Sequence, residues 1–150
     1  MQNDIITYAE VALDYGIIGT LIIMSIVTLW LFIERMMFYK SIRTDDYEHR
    51  DTLEMDLTDN ISVISAIGSN APYVGLLGTV IGIMLTFYTM GDTSGEIDAK
   101  QIMTGLALAL KATAMGLVVA MPAIIAYTIL LRKVEKILTI FDVAQDTKEK

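Results

Sequence analysis

Three long stretches of apolar residues, each bounded by charged positions, dominate the chain. The first runs from Tyr15 to Ile33 between Asp14 and Glu34 with no charge and no proline. About 20 apolar residues rising 1.5 Å each cross a hydrocarbon layer of about 30 Å, so this stretch is just long enough to span a bilayer. A second uncharged run extends from Asn60 to Gly91, and Gly68, Ser69, Asn70 and Pro72 interrupt it with residues that open helices. Proline suits a first helical turn, where its missing N–H has no intrahelical partner, so the second span is expected to begin near Pro72 with Ser69 or Asn70 as its cap. A third run lies between Lys100 and Arg132, and its only charged residue is Lys111. Pro122 falls inside it and predicts a kink between Val118 and Pro122.

The pattern predicts an all-α membrane protein of three spans, at about 15–34, 72–91 and 101–131. A loop 35–71, a short connection 92–100 and a tail 132–150 complete a single membrane domain. Charge orients it. Asp4, Glu10 and Asp14 precede the first span, whereas Arg35, Lys40, Arg43 and Arg50 follow it and Arg132, Lys133 and Lys136 follow the third. Basic loops stay in the cytoplasm, which leaves the N-terminus periplasmic and the C-terminus cytoplasmic in a bacterial inner membrane. The acidic front also argues for a retained helix rather than a cleaved signal peptide.

The tail repeats apolar residues at Val134, Ile137, Leu138 and Phe141, one face of a helix, and Ile61, Val63, Ile64 and Ile67 offer a partner surface below the membrane. Between 45 and 59 seven acids meet only Arg50. That run carries most of the formal charge of −7 and reads as a solvated, mobile cytoplasmic segment. An apolar content of 54% fits lipid better than a soluble core. There is no basic footprint for nucleic acid. The chain has no cysteine, and its single histidine, His49, lacks the company a transition metal requires. No nucleophile and base pair up, and Gly75 to Gly82 lacks the lysine of a phosphate loop. No enzyme and no cofactor are expected. Trp30 and Tyr88 suit the membrane–water interface.

Small residues recur three or four apart on two spans: Gly75, Gly78 and Gly82 on the second, and Gly105, Ala109, Ala112, Gly116 and Ala120 on the third. In lipid, close backbone approach through small residues drives helix association. Their number on two helices predicts more packing than one protomer needs, hence a homo-oligomer.

Two stretches carry a family resemblance: APYVGLLGTVIGIMLTF from Ala71 to Phe87 and LALKATAMGLVVAMPA from Leu108 to Ala123. Together they resemble the ExbB/TolQ/MotA proton-channel family, on its ExbB/TolQ branch. The resemblance implies a membrane pentamer whose second and third helices line a pore around single-span partners similar to ExbD or TolR. The partner's aspartate would carry protons, the coupling ion, and a TonB-like protein would deliver the work to nutrient import at the outer membrane. TolQ-like envelope maintenance is the rival role, and a passive scaffold the rival of another class. By the resemblance, Thr79 and Thr113 match the family's two pore threonines. A membrane threonine otherwise bonds a carbonyl of its own preceding turn.

One position departs from the family. Leu108 stands where the family usually has an intramembrane glutamate, and Lys111 follows one turn later. A charge inside a span faces protein or water by default. Two readings of Lys111 stay open: contact with a neighbouring protomer or partner acid, and snorkelling towards headgroups. At about 100° per residue Lys111 lies about 200° from Thr113, so both cannot face one pore.

Overall fold

The computed structural model describes residues 2–91 and 99–148. Within them lie four α-helices, α1 (Gln2–Ser41), α2 (Arg50–Thr58), α3 (Ile61–Gly91) and α4 (Ala99–Lys148), with a 3-10 turn at Thr44–Asp46. Three are long and apolar enough to cross a membrane, over Tyr15–Ser41, Ile61–Tyr88 and Ile102–Thr147. Large apolar side chains such as Ile23, Ile26, Leu76, Leu110 and Ile125 stand more than half exposed along their outer faces. That is the inverse of a soluble bundle and suits helices surrounded by lipid or by other membrane helices.

The membrane helices do not stop at the bilayer. At 1.5 Å per residue the 50 residues of α4 extend about 75 Å, far beyond one hydrocarbon core. Its lower part buries Val134, Leu138 and Phe141 against Leu53 and Leu57 of α2 and Ile61 and Ile64 of α3. An upper core, Leu21, Ile67, Ala71, Val119, Ala120 and Ala123, joins α1, α3 and α4 within the span.

The acidic run is ordered, which corrects its reading as a mobile segment. Leu53 and Leu57, one turn apart, are fully buried, so α2 is anchored by its apolar face while its acids face water. Arg35 and Tyr39 of α1 finish the job. Arg35 donates from its guanidinium to the carbonyl of Asp56 at 3.1 Å, and the Tyr39 hydroxyl donates to the carbonyl of Leu57 at 2.7 Å. Those carbonyls belong to the last turn of α2, which has no intrahelical donors and carries the negative end of the helix dipole. A second helix therefore caps the first. Arg35 also meets Glu34 at 3.0 Å and Asp59 at 3.4 Å and lies over the Phe38 ring. Asn60, at φ 59°, occupies the left-handed region that asparagine tolerates, and the chain turns there into α3.

Pro72 does not open the helix that carries the second span. That helix starts at Ile61, and Pro72 lies in its interior. Ser69 and Asn70 do not cap forward: the Ser69 hydroxyl donates back to Ser65 O at 2.9 Å and the Asn70 amide to Ala66 O at 2.7 Å. Packing carries the helix past the lost backbone bond, since α4 covers Gly68 and Ala71. Pro122 likewise sits inside α4, which continues on both sides of it. The expected connection 92–100 lies outside the described residues up to position 98.

Candidate functional site: a threonine pair in the α3–α4 seam

Helices α3 and α4 approach closely because glycine and alanine line their shared face. A Cβ placed on Gly75 would lie 2.7 Å from the Ala112 carbonyl oxygen and 3.0 Å from the Thr113 Cα. One on Gly78 would lie 2.6 Å from the Ala112 Cβ, one on Gly82 2.9 Å from the Ala109 Cβ, and one on Gly116 2.7 Å from the Ala71 carbonyl oxygen. Gly105 accommodates Thr86, whose hydroxyl would lie 2.5 Å from a Cβ there. Within the protomer Gly75 and Gly116 face each other, while Gly78, Gly82 and Gly105 face Ala112, Ala109 and Thr86. Close helix packing within the protomer already uses these glycines. Ala120 is buried in the upper core beside them.

Thr79 and Thr113 meet in this seam. Their hydroxyl oxygens are directly hydrogen-bonded to each other. The Thr79 oxygen also lies 3.3 Å from Gly75 O on its own helix and 3.2 Å from Ala109 O on α4, and the Thr113 oxygen lies 3.3 Å from Gly75 O. Each hydroxyl has one proton to give and lone pairs to receive. Two protons thus serve several acceptors, and two arrangements use both. Thr113 can donate to Thr79, which then donates to a carbonyl. Alternatively, Thr79 donates to Thr113, which donates to Gly75 O. Reversing the pair's direction breaks no net hydrogen bond, a property suited to a group that must exchange a proton with a passing carboxyl. Thr79 is buried, only 8% exposed, whereas Thr113 is half-buried. Any group approaching from outside the protomer meets Thr113 first.

Thr86 extends the seam and was not singled out from sequence. It stands seven positions after Thr79, on the same helix face, and donates to Gly82 O at 2.8 Å. That spacing was the available signal.

Lys111 and Leu108 do not join the threonines. Both lie on exposed faces of α4, Leu108 at 54%, and Lys111 makes no hydrogen bond or ion pair among the described residues. Among those residues no cluster of three metal-ligating side chains exists, and His49 stands exposed before α2.

Comparison with known proteins bears on this seam directly. The MotA/TolQ/ExbB proton channel family matches residues 30–143, which include α2, α3 and nearly all of α4. A Helicobacter pylori protein named putative biopolymer transport protein ExbB-like 2 is 55% identical over 130 residues, covering 87% of this chain and 86% of its own. The biopolymer transport protein ExbB of Aquifex aeolicus is 53% identical over 127 residues, covering 84% and 85%. The Tol-Pal system protein TolQ of Pseudomonas aeruginosa is 43% identical over 74 residues, covering 49% of this chain and 32% of its own.

Proposed function

The chain belongs to the MotA/TolQ/ExbB proton channel family and is a multi-pass membrane protein, and from that premise we propose that it is a stator and proton-channel subunit of a bacterial inner membrane. In this reading it assembles as a homo-oligomeric ring, a pentamer, around an ExbD-like single-span protein. The ring converts the proton motive force into work that a TonB-like protein carries to outer-membrane import of iron complexes or other nutrients. The N-terminus is periplasmic and the C-terminus cytoplasmic, as the distribution of Arg35, Lys40, Arg43, Arg132, Lys133 and Lys136 favours.

The observation that carries the reading is the reversible Thr79–Thr113 hydroxyl pair, set in a span otherwise built from apolar and small residues. A partner carboxylic acid moving past the half-buried Thr113 would find a donor when charged and an acceptor when neutral, and the pair would reset by reversing its direction. No group on this chain need ionise, which is consistent with Leu108 standing where an acid would otherwise be. One proton crossing about 100 mV releases about 2.3 kcal/mol from the potential alone, enough to bias a small step of the partner.

The test is nutrient-dependent growth of cells carrying this chain with its single-span partner, comparing Thr79→Val and Thr113→Val with the corresponding serine variants. Motor function requires that both valines abolish energised uptake and that serine restores most of it. Undiminished uptake in both valine variants would leave a passive scaffold as the better reading. A TolQ-like role in envelope maintenance is favoured by the TolQ relative, and is distinguished by which single-span protein co-purifies.

A further inference from the structure

Lipid or other membrane helices cover the apolar side chains exposed along the spans, but Met55, Ile140 and Val143 lie past the charged ends of the apolar runs. Met55 of α2 is 72% exposed, and Ile140 and Val143 of α4 are 53% and 61% exposed. Each sits among charges of one sign. Asp51, Asp56 and Asp59, all exposed, surround Met55, whereas Arg132, Lys133 and Lys136 precede Ile140 on α4. Exposed apolar residues in such a setting mark a surface that another protein covers.

Leu53 and Leu57 of α2 share one core with Val134, Leu138 and Phe141 of α4. Two residues along a helix turn it by about 200°, so Met55, two from each leucine, points away from that core. Lys136 and Ile140, each two from the buried Leu138, point away from it on α4. The two helices thus stand back to back. An acidic face around Met55 lies on one side of the pair, and a stripe of Lys133, Lys136, Ile140 and Val143, spaced three or four apart, lies on the other. Asp142 is not in the stripe but faces α2, where it binds Arg50 at 3.2 Å. None of Asp51, Arg132, Lys133 and Lys136 forms an ion pair among the described residues.

Both faces lie at one depth. Arg50, at the start of α2, meets Asp142, and the rest of α2 packs beside Val134 and Leu138, so Met55 stands level with α4 between 134 and 142. Copies of a membrane protein share one orientation in the bilayer, and rotation about the membrane normal brings a face to its neighbour at unchanged depth. Only faces of equal depth can meet that way. From this juxtaposition we infer that α2 of one copy docks on the α4 stripe of the next, Met55 seating against Ile140 and Val143 while Lys133 and Lys136 meet the acids of α2. Two acidic faces, or two basic ones, would repel each other. The contact is therefore head to tail, the kind that closes into a ring. It rests on the homo-oligomer proposed above and names a surface that builds it.

The chain has no cysteine, so introduced disulfides can read the contact in the full-length protein in membranes. A disulfide brings Cβ atoms to about 4 Å, which positions on opposite sides of a helix pair cannot reach within one copy. Oxidation of chains carrying Met55→Cys with Ile140→Cys, or Met55→Cys with Val143→Cys, should give a ladder of linked copies on a denaturing gel, and each single variant should run as one chain. Lys136→Glu should lower linking severalfold, and Lys136→Arg should keep it. Linking in Met55→Cys alone overturns the head-to-tail contact in favour of a symmetric one. Failure of both pairs to link, in an oligomer that native mass spectrometry shows intact, overturns the docking and leaves the ring, whereas a chain monomeric by that measurement overturns both. If linking fails and Lys136→Glu instead lowers the phosphatidylglycerol retained, the stripe belongs to lipid headgroups. Neither readout depends on proton transfer, so failure of the motor reading would leave the contact standing.

Discussion

The hydroxyl of Thr79 on α3 bonds that of Thr113 on α4, 34 positions away in the sequence. Gly75 allows it. Its missing side chain lets the Thr113 backbone approach, and its carbonyl accepts from either hydroxyl. The pair is therefore a product of the small-residue seam rather than an independent feature of two helices.

Removing one hydroxyl at nearly constant shape separates chemistry from packing. Thr113→Val leaves Gly75 O with its own helical donor, so loss of stability should stay near 1 kcal/mol, the net worth of one hydrogen bond. Oligomer yield after detergent extraction should match the wild type while energised uptake falls to background. Coincident loss of assembly and uptake would point to a structural role instead.

The seam makes a second prediction, with an internal control. Gly78→Ala puts its Cβ against the Ala112 side chain, and should destabilise helix packing by about 1–3 kcal/mol, as overpacking does. Adding Ala112→Gly removes the opposing methyl and should restore much of that. Gly75→Ala meets the Ala112 carbonyl oxygen and the Thr113 Cα, which no side-chain change can withdraw, so the same second substitution should not rescue it. Thermal unfolding in detergent distinguishes the two.

How far the chain could be read in advance differed from element to element. Three spans and the amphipathic tail followed from apolar periodicity, because lipid enforces long uninterrupted runs and a helix face repeats every 3.6 residues. The start of the second helix did not follow. Pro72 is a helix opener only when nothing else stabilises the turn before it, and here α4 packs over that turn. Order in the acidic segment was invisible for a similar reason: its cap comes from Arg35 and Tyr39, on another helix. The threonine pair was legible only as two motifs, since meeting depends on how α3 and α4 are aligned.

Arg35 yields a third prediction. The residue is almost fully buried, 6% exposed, and its guanidinium binds the Asp56 carbonyl and two carboxylates. Arg35→Met keeps much of the stem but withdraws the cap, and should destabilise α2 docking by about 1.5–3 kcal/mol, the range for hydrogen bonds to charged groups. Tyr39→Phe, losing one neutral bond, should cost about 1 kcal/mol. Hydrogen exchange at amides 50–59 should accelerate in both, more in the methionine variant, with the α3–α4 seam unchanged. Uniform acceleration across the bundle would mean that Arg35 supports the whole fold.

Proton flux is the most direct measure of the central claim. The full chain, reconstituted with its single-span partner into vesicles holding a trapped pH-sensitive dye, is given an inside-negative potential. Acidification should require both proteins, vanish with Thr79→Val or Thr113→Val, and persist with Thr113→Ser. Vesicles that acidify no faster than empty ones with both proteins present, or a Thr113→Val complex that conducts like the wild type, would contradict it.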